Sequence, residues 1–504
     1  MIRLAFLLFV LLSANIDLPA LDWHQGSGPE ASYVADGVAA KEWSVVHGKN
    51  IAWVKPLPET GQSTVVIKNG KLFYTCYETL SSDSALGSDI IAYCADAGTG
   101  EVLWQRTIAG QYPLRLSGCF SDSTSPPAVT DGELVCFFNA SGTIACFDMD
   151  GNEVWSRESM AVGRSQPFLV DGSVVYTKQT IMPKDGEFGH EHQDAPREQW
   201  TQLEALDLAS GKTVWTSECG VNMGAIPMVS RLSNGRHAIV LGRGGGHSPP
   251  ERPLGVSAID SQTGKTLWTL PLDRYMSTQT FPIANDLALI FHGPEHLWVN
   301  LSGEVVKRIN FCSDVPVHRW DGKEYSLGRE SLKYQPKKDR AITQQSNLLV
   351  GKYHYFRAYS EPYLGRVNID SGKVEYLQLP VQLIREVEKD DQLIWSLKDK
   401  GFVPSEMKNQ NGFVVMGDKR SRTNTWGHHA SPIMTVVGQH LYLPTLVGTV
   451  YCIDWNADRL DEHAILGIND LGPVGDTWTR ASLSYAEGNL YAHTIKHLIC
   501  IQAE

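Results

Sequence analysis

The chain has 504 residues, with 44 Lys and Arg against 56 Asp and Glu, for a formal net charge of -12. This balance argues against a nucleic-acid partner, because affinity for phosphates comes from clustered Lys and Arg and no dense basic run occurs here. Charged residues make up 20% of the chain and tryptophan numbers 14, so the organisation is sought in a repeat that uses tryptophan.

The first element is a leader. Met1-Ile2-Arg3 carries one cation, Leu4 to Leu12 is unbroken apolar sequence, and Asn15, Asp17 and Pro19 end the run well short of the roughly 20 apolar residues of a membrane-spanning helix. Residues 1–20 read as a signal peptide with cleavage after Ala14 or Ala20. The mature chain is expected to be exported, to the periplasm or beyond, with no later membrane span. Next comes a lone strand, Asn50-Ile-Ala-Trp53-Val54.

Four turns then follow at blade-like intervals: Asp96-Ala-Gly-Thr99-Gly100-Glu-Val-Leu-Trp104, Asp148-Met-Asp-Gly151-Asn-Glu-Val-Trp155, Asp207-Leu-Ala-Ser210-Gly211-Lys-Thr-Val-Trp215 and Asp260-Ser-Gln-Thr263-Gly264-Lys-Thr-Leu-Trp268. Asp accepts hydrogen bonds from the amides just ahead of it and Gly supplies positive φ, so each turn fixes a tight reversal between strands. The tryptophan lands on the outgoing strand, where its ring can cover a neighbouring unit. Leu301-Ser-Gly303 and Asp370-Ser-Gly372 are eroded copies in which Lys307 and Tyr376 replace the ring, and Cys452-Ile-Asp454 is a last trace.

Upstream of each turn lies a second block, in which small polar residues are followed by a strand, a glycine turn and another strand. These blocks begin near residues 62, 123, 164, 224, 278, 344, 431 and 481. Eight entries of four strands each predict an all-β, eight-bladed propeller of antiparallel blades within residues 21–504. The last unit stops after three strands at Cys500-Ile501-Gln502. Trp53 stands where the missing outer strand needs its tryptophan, so the N-terminal strand is expected to close the ring and hide the last sheet edges.

Other segments fall outside the pattern. Gly189-His190-Glu191-His192-Gln193-Asp194, within the third unit, reads as a solvated loop in which His190 and His192 are the residues suited to capture zinc or copper. Gly242-Arg-Gly-Gly-Gly-His247 lacks the Lys and Ser/Thr of a nucleotide loop. Residues 381–426 form an insertion in which Leu383, Ile384, Val387, Leu393, Ile394 and Leu397 fit part of a helical face. Cys94, Cys146, Cys452 and Cys500 share one slot before the turn and read as small buried fillers, whereas Cys119, Cys219 and Cys312 lie near blade junctions where a bridge is conceivable.

Innermost strands of a propeller enter beside its central channel. The polar residues preceding them therefore converge there: Gln62, Asp122, Arg164, Gln166, Gln279, Gln345, His428, His429 and Arg480. Such a mouth suits a small polar ligand or ordered water.

The turns resemble the pyrroloquinoline-quinone (PQQ) propeller repeat, Ala-x-Asp-x-x-Thr-Gly-x-x-x-Trp, from Trp43 to the end of the chain. The run Trp43-Ser44 to Pro58 followed by Ser63-Thr-Val-Val66 is similar to an exported subgroup of PQQ-binding-like propellers. The resemblance implies two functions. One is a non-catalytic scaffold with protein partners in the cell envelope, as in the propeller lipoprotein of the outer-membrane β-barrel assembly machinery. The other is a quinoprotein oxidoreductase acting on alcohols or sugars, with PQQ and calcium in the channel. The sequence departs from the dehydrogenases in having no adjacent Cys-Cys pair, no Cys-x-x-Cys-His haem motif and no motif match to their calcium ligands or catalytic base. The reading is therefore a binding or scaffold module with no catalytic residue and no cofactor, in which Trp53, Gly100, Trp104, Gly151, Trp155, Gly211, Trp215, Gly264 and Trp268 dock blades together.

Overall fold

The computed structural model describes residues 22–83, 86–115, 124–180, 196–244, 254–274, 276, 281–332, 342–359, 361–396, 398, 400–415, 426 and 431–503. Its regular structure is strand, apart from two single 3-10 turns at Arg197–Gln199 and Glu462–Ala464. Eight sheets of four or more strands follow one another around a ring. Blade 1 is built from Val66–Lys68, Lys71–Tyr77, Ile90–Asp96 and Val102–Ile108, with its strands paired in that order. Blades 2 to 7 span residues 129–158, 168–216, 228–271, 283–310, 342–378 and 435–470. Burial follows position in the blade. The middle strands, such as Leu134–Asn139 and Thr143–Asp148, are covered on both faces by neighbouring blades. Outermost strands are more open, as in Glu153–Glu158, where only alternate residues are partly covered.

The repeated turn is a latch between consecutive blades. In three of the four the Asp carboxylate accepts from the amide three residues on, as Asp96 does from the Thr99 amide and hydroxyl at 2.8 Å and as Asp207 does from Ser210, whereas Asp148, in the turn one residue shorter, accepts from the amides of Asp150 and Asn152. Gly100, Gly151, Gly211 and Gly264 have φ of 71, 82, 66 and 67°. Each lies under the tryptophan of the preceding blade: a Cβ at Gly211 would stand 2.6 Å from Trp155, and one at Gly264 would stand 2.6 Å from Trp215. The indole then donates to the carbonyl of the residue after the turn's Asp. Trp104 reaches Met149, Trp155 reaches Leu208 and Trp215 reaches Ser261, at 3.1, 2.8 and 3.0 Å. Where the ring is lost, the contact is rebuilt from other atoms. Lys307 lies 4.0 Å over Trp298 and its ammonium approaches Gly372, and from blade 6 the Tyr355 hydroxyl donates to Trp455 O, the carbonyl after Asp454 in blade 7, at 2.7 Å.

Ring closure is as expected. Ile51–Pro56 pairs antiparallel with His497–Ile501, giving blade 8 the order Ile51–Pro56, His497–Ile501, Asn489–His493, Ser484–Ala486. Trp53 donates to Ala97 O at 3.2 Å and lies on Gly100 of blade 1, the same latch as in the other blades.

The residues before that strand stitch the seam. Trp43 donates from Nε1 to Asp470 O, and the Asp470 carboxylate accepts from Ser44 Oγ and from the amides of Val45 and Val46. Residues 37–40 pass between blades 7 and 8, where Tyr442 donates to Ala40 O and a Cβ at Gly37 would collide with the Tyr485 hydroxyl.

Two features differ from the sequence reading. Residues 382–394 form a hairpin, Gln382–Ile384 with Gln392–Ile394, and not a helix. The apolar residues there fall in short pairs that fit either period, and Val387, which the helical face required inside, is 73% exposed. A charged turn reverses the chain between them, with Arg385 bridging Asp391 and Asp470 at 2.6 and 3.0 Å. A second hairpin, Val315–Trp320 with Tyr325–Glu330, adds two strands to the outer edge of blade 6. Cys219 and Cys312 are buried, as are Cys76, Cys94, Cys136, Cys146, Cys452 and Cys500. Residues 1–20, expected to be a signal peptide, and Cys119 lie outside the described residues.

Candidate functional site

The inner wall of the ring is a band of small hydroxyls that tie one blade to the next. Gln62 N donates to Thr124 Oγ1, Thr75 Oγ1 to Thr124 O, Ser482 N to Thr64 Oγ1, and Thr435 Oγ1 to Leu483 O. Short Ser and Thr side chains suit this wall because they satisfy neighbouring backbone groups where space is least. Into the same band projects the buried cation Arg480, donating to Ser125 Oγ at 2.9 Å.

Of the residues expected at the mouth, Gln62 and Arg480 therefore belong to this wall, and Arg164 is buried. Gln166 is half-buried, with its amide oxygen against Gly26. Asp122, Gln279, His428 and His429, like His190 and His192, lie outside the described residues, and Gln345 is described only as backbone within the strand Ile342–Val350.

His493 belongs to this wall and was missed in the sequence, where it is one histidine in an apolar strand. Its Nδ1 lies 2.7 Å from Ser63 O, which makes Nδ1 the protonated nitrogen. Nε2 is then an acceptor, buried and unbonded, as is Gln62 Oε1 close by in the chain to Ser63. Burial lowers the His493 pKa to about 4. The wall thus offers buried acceptors on His493 and Gln62, groups suited to ordered water or a small polar molecule.

The axis itself is crossed by the chain's own N-terminal segment. Trp23 O accepts from Ile67 N of blade 1, His24 O from Thr130 N of blade 2, and Gln25 Oε1 from Leu169 N of blade 3. Tyr33 O then accepts from Val436 N, and Val34–Ala35 pairs parallel with the innermost strand of blade 7. In a ring of eight, blades 3 and 7 are opposite, so residues 25–33 span the channel. Trp23 and Tyr33 are buried in one core with Ile226 and Ile433, and burial alone raises the Tyr33 phenol far above its ordinary value.

A second buried polar group lies between blades 5 and 6. Trp298 Nε1 donates to His296 Nδ1 at 2.9 Å, His296 Nε2 to His354 Nδ1 at 2.9 Å, and His354 Nε2 to Asn347 Oδ1 at 3.0 Å. The indole can only donate, so the direction of every bond follows and both imidazoles are neutral. Burial lowers His296 to about 3 and holds His354 well below the ordinary range. An open cavity of about 330 Å³ at the rim, lined by Glu42, Trp43, His47, Arg385 and Asp391, belongs to the closing seam.

Fold and latches together define an eight-bladed β-propeller. A family model described as outer membrane protein assembly factor BamB matches residues 50–217. The chain is similar to a europium-containing methanol dehydrogenase at 13% identity, covering 94% of this chain and 90% of that one, with a TM-score of 0.51. It is similar to a quinohemoprotein alcohol dehydrogenase from Comamonas testosteroni at 13% identity, covering 95% and 80%, with a TM-score of 0.50. It is also similar to BamB from Moraxella catarrhalis at 11% identity, covering 90% and 97%, with a TM-score of 0.46. At such identities the likeness shows the fold alone. No curated protein matches the sequence. The chain is thus an eight-bladed β-propeller, of which residues 50–217 match that family model.

Proposed function

We propose that this protein is an exported, non-catalytic propeller that acts by binding, as a scaffold for protein partners in the cell envelope. The observation that carries this reading is the path of residues 25–33 across the axis between opposite blades. A quinone with calcium in the channel, the rival reading, would compete for space with this segment and with the buried rings of Trp23 and Tyr33. With the axis occupied by the chain itself, recognition falls to the loops and rim of a rigid closed frame. The match of residues 50–217 to an outer membrane protein assembly factor points to a protein partner of that setting. Among the described residues no helix is long and apolar enough to cross a membrane.

The test is affinity purification of the tagged mature chain from envelope membranes in mild detergent, with a parallel assay for dye reduction after addition of PQQ and calcium. A stoichiometric envelope protein is expected to co-purify, and no reduction is expected with alcohols or sugars. Turnover dependent on added quinone would overturn the reading.

A further inference from the structure

The rim of the ring carries a cluster unconnected with the axis. His318 lies on the hairpin that extends blade 6, and Asp461 and Glu462 open the 3-10 turn between the third and fourth strands of blade 7. One ligand atom from each of the three lies within 4.8 Å of the other two. We propose that His318, Asp461 and Glu462 form a binding site for a divalent transition metal, with zinc the best fit, that clasps blade 6 to blade 7.

The donor set is the first support. One imidazole nitrogen and two carboxylates match the nitrogen and oxygen ligands zinc takes when a fourth position is left to water, whereas calcium and magnesium favour oxygen alone. The second is spacing. His318 Nδ1 faces Glu462 Oε2 at 3.8 Å, too far for a hydrogen bond. Two ligands of a tetrahedral zinc, each ~2.0–2.1 Å from the ion, stand about 3.3 Å apart, so a small side-chain rotation closes the set on an ion.

The third support is that both arms are held in place without the metal. Val317, beside His318, is fully buried, and its strand pairs parallel with Val374–Gln378 through His318 and Leu377. Trp320 stacks on Trp395 at 4.9 Å, and Tyr325 donates to Gln378 O. On the other arm, buried Leu460 and Ala464 flank the two acids, and the buried Arg366 donates to Ala457 O and Asp458 O. One Asp461 oxygen accepts from the His463 amide at 3.1 Å, which orients the carboxylate and leaves its other oxygen for an ion. A preorganised ligand set of this kind loses little side-chain freedom on binding.

The test is calorimetric titration of the EDTA-stripped mature chain with Zn²⁺, alongside His318→Ala, Glu462→Gln and the double variant His190→Ala/His192→Ala. The expected result is a single site in the wild type. His318→Ala and Glu462→Gln should each weaken it at least tenfold, and the double variant should leave it unchanged. Zn²⁺ should also raise the unfolding temperature of the wild type and not that of His318→Ala, whose far-UV circular dichroism reports whether it is folded. Absence of saturable binding, binding indifferent to His318→Ala, or binding lost only in the double variant would each overturn the proposal.

Discussion

Substituting the turn glycines separates the latch from the local backbone. Gly172 and Gly211 lie in the same blade, with φ of 80 and 66°. Nothing lies within 4 Å of a Cβ placed on Gly172, whereas one on Gly211 stands 2.6 Å from two ring carbons of Trp155. Alanine at Gly172 therefore adds only left-handed strain, about 1–2 kcal/mol. Alanine at Gly211 adds the same strain and displaces the indole. The Nε1 bond to Leu208 O is lost, about 1 kcal/mol, and overpacking costs about 1–3 kcal/mol more. The expected totals are about 1–2 against about 3–6 kcal/mol, measured by equilibrium urea unfolding followed by far-UV circular dichroism. With Trp155→Ala in the background, the cost of Gly211→Ala should fall back to that of Gly172→Ala. Equal costs for the two glycines, or no coupling to Trp155, would refute the latch.

Three further outcomes are expected. The neutral imidazoles of His296 and His354 have folded pKa values depressed below the unfolded value near 6.5. Their stabilisation is thus fully present above pH 6.5 and is lost as pH falls from there towards about 3 for His296. At pH 5 His296 alone should cost about 2 kcal/mol, seen as a lower urea midpoint, and His296→Gln/His354→Gln should flatten that dependence. Trp53→Ala removes a half-buried ring, its bond to Ala97 O and its contact with Tyr491 at 6.1 Å; the loss should be about 2–4 kcal/mol, with limited proteolysis opening first between residues 40 and 60. The eight described thiols are buried, and Cys76 and Cys136 are held well above the usual thiol range by burial; in the native protein a thiol reagent should react with none of them, and all eight should become reactive on unfolding.

The ring, its blade number and its closure were legible because each blade repeats one local device whose residues are chemically specific. Asp, Gly and Trp at fixed spacing encode a turn and a contact one blade away, so Trp53 could be assigned to blade 8 from the opposite end of the chain. Residues whose role depends on distant partners were not legible in this way. His493 and the pair His296 and His354 look like any histidines in apolar strands until blades are packed. The hairpin at 382–394 read as a helix because its apolar residues are too few to fix a period, and its register depends on Arg385 reaching Asp470 in blade 7. The segment 22–35 has no repeat signature at all. Its path is set by backbone hydrogen bonds to strands far along the chain, which no local pattern announces.

Hydrogen–deuterium exchange of the protein tests directly whether that segment crosses the axis. The amides of Ala31 and Tyr33 are bonded to Gly28 O and Ser27 O, and those of Ile67, Thr130 and Val436 to the segment itself. Peptides covering residues 22–35 should exchange as slowly as the middle strands of the blades. Exchange of residues 22–35 at the rate of an open terminus, with Ile67, Thr130 and Val436 exchanging alongside, would mean an open channel and would contradict the account.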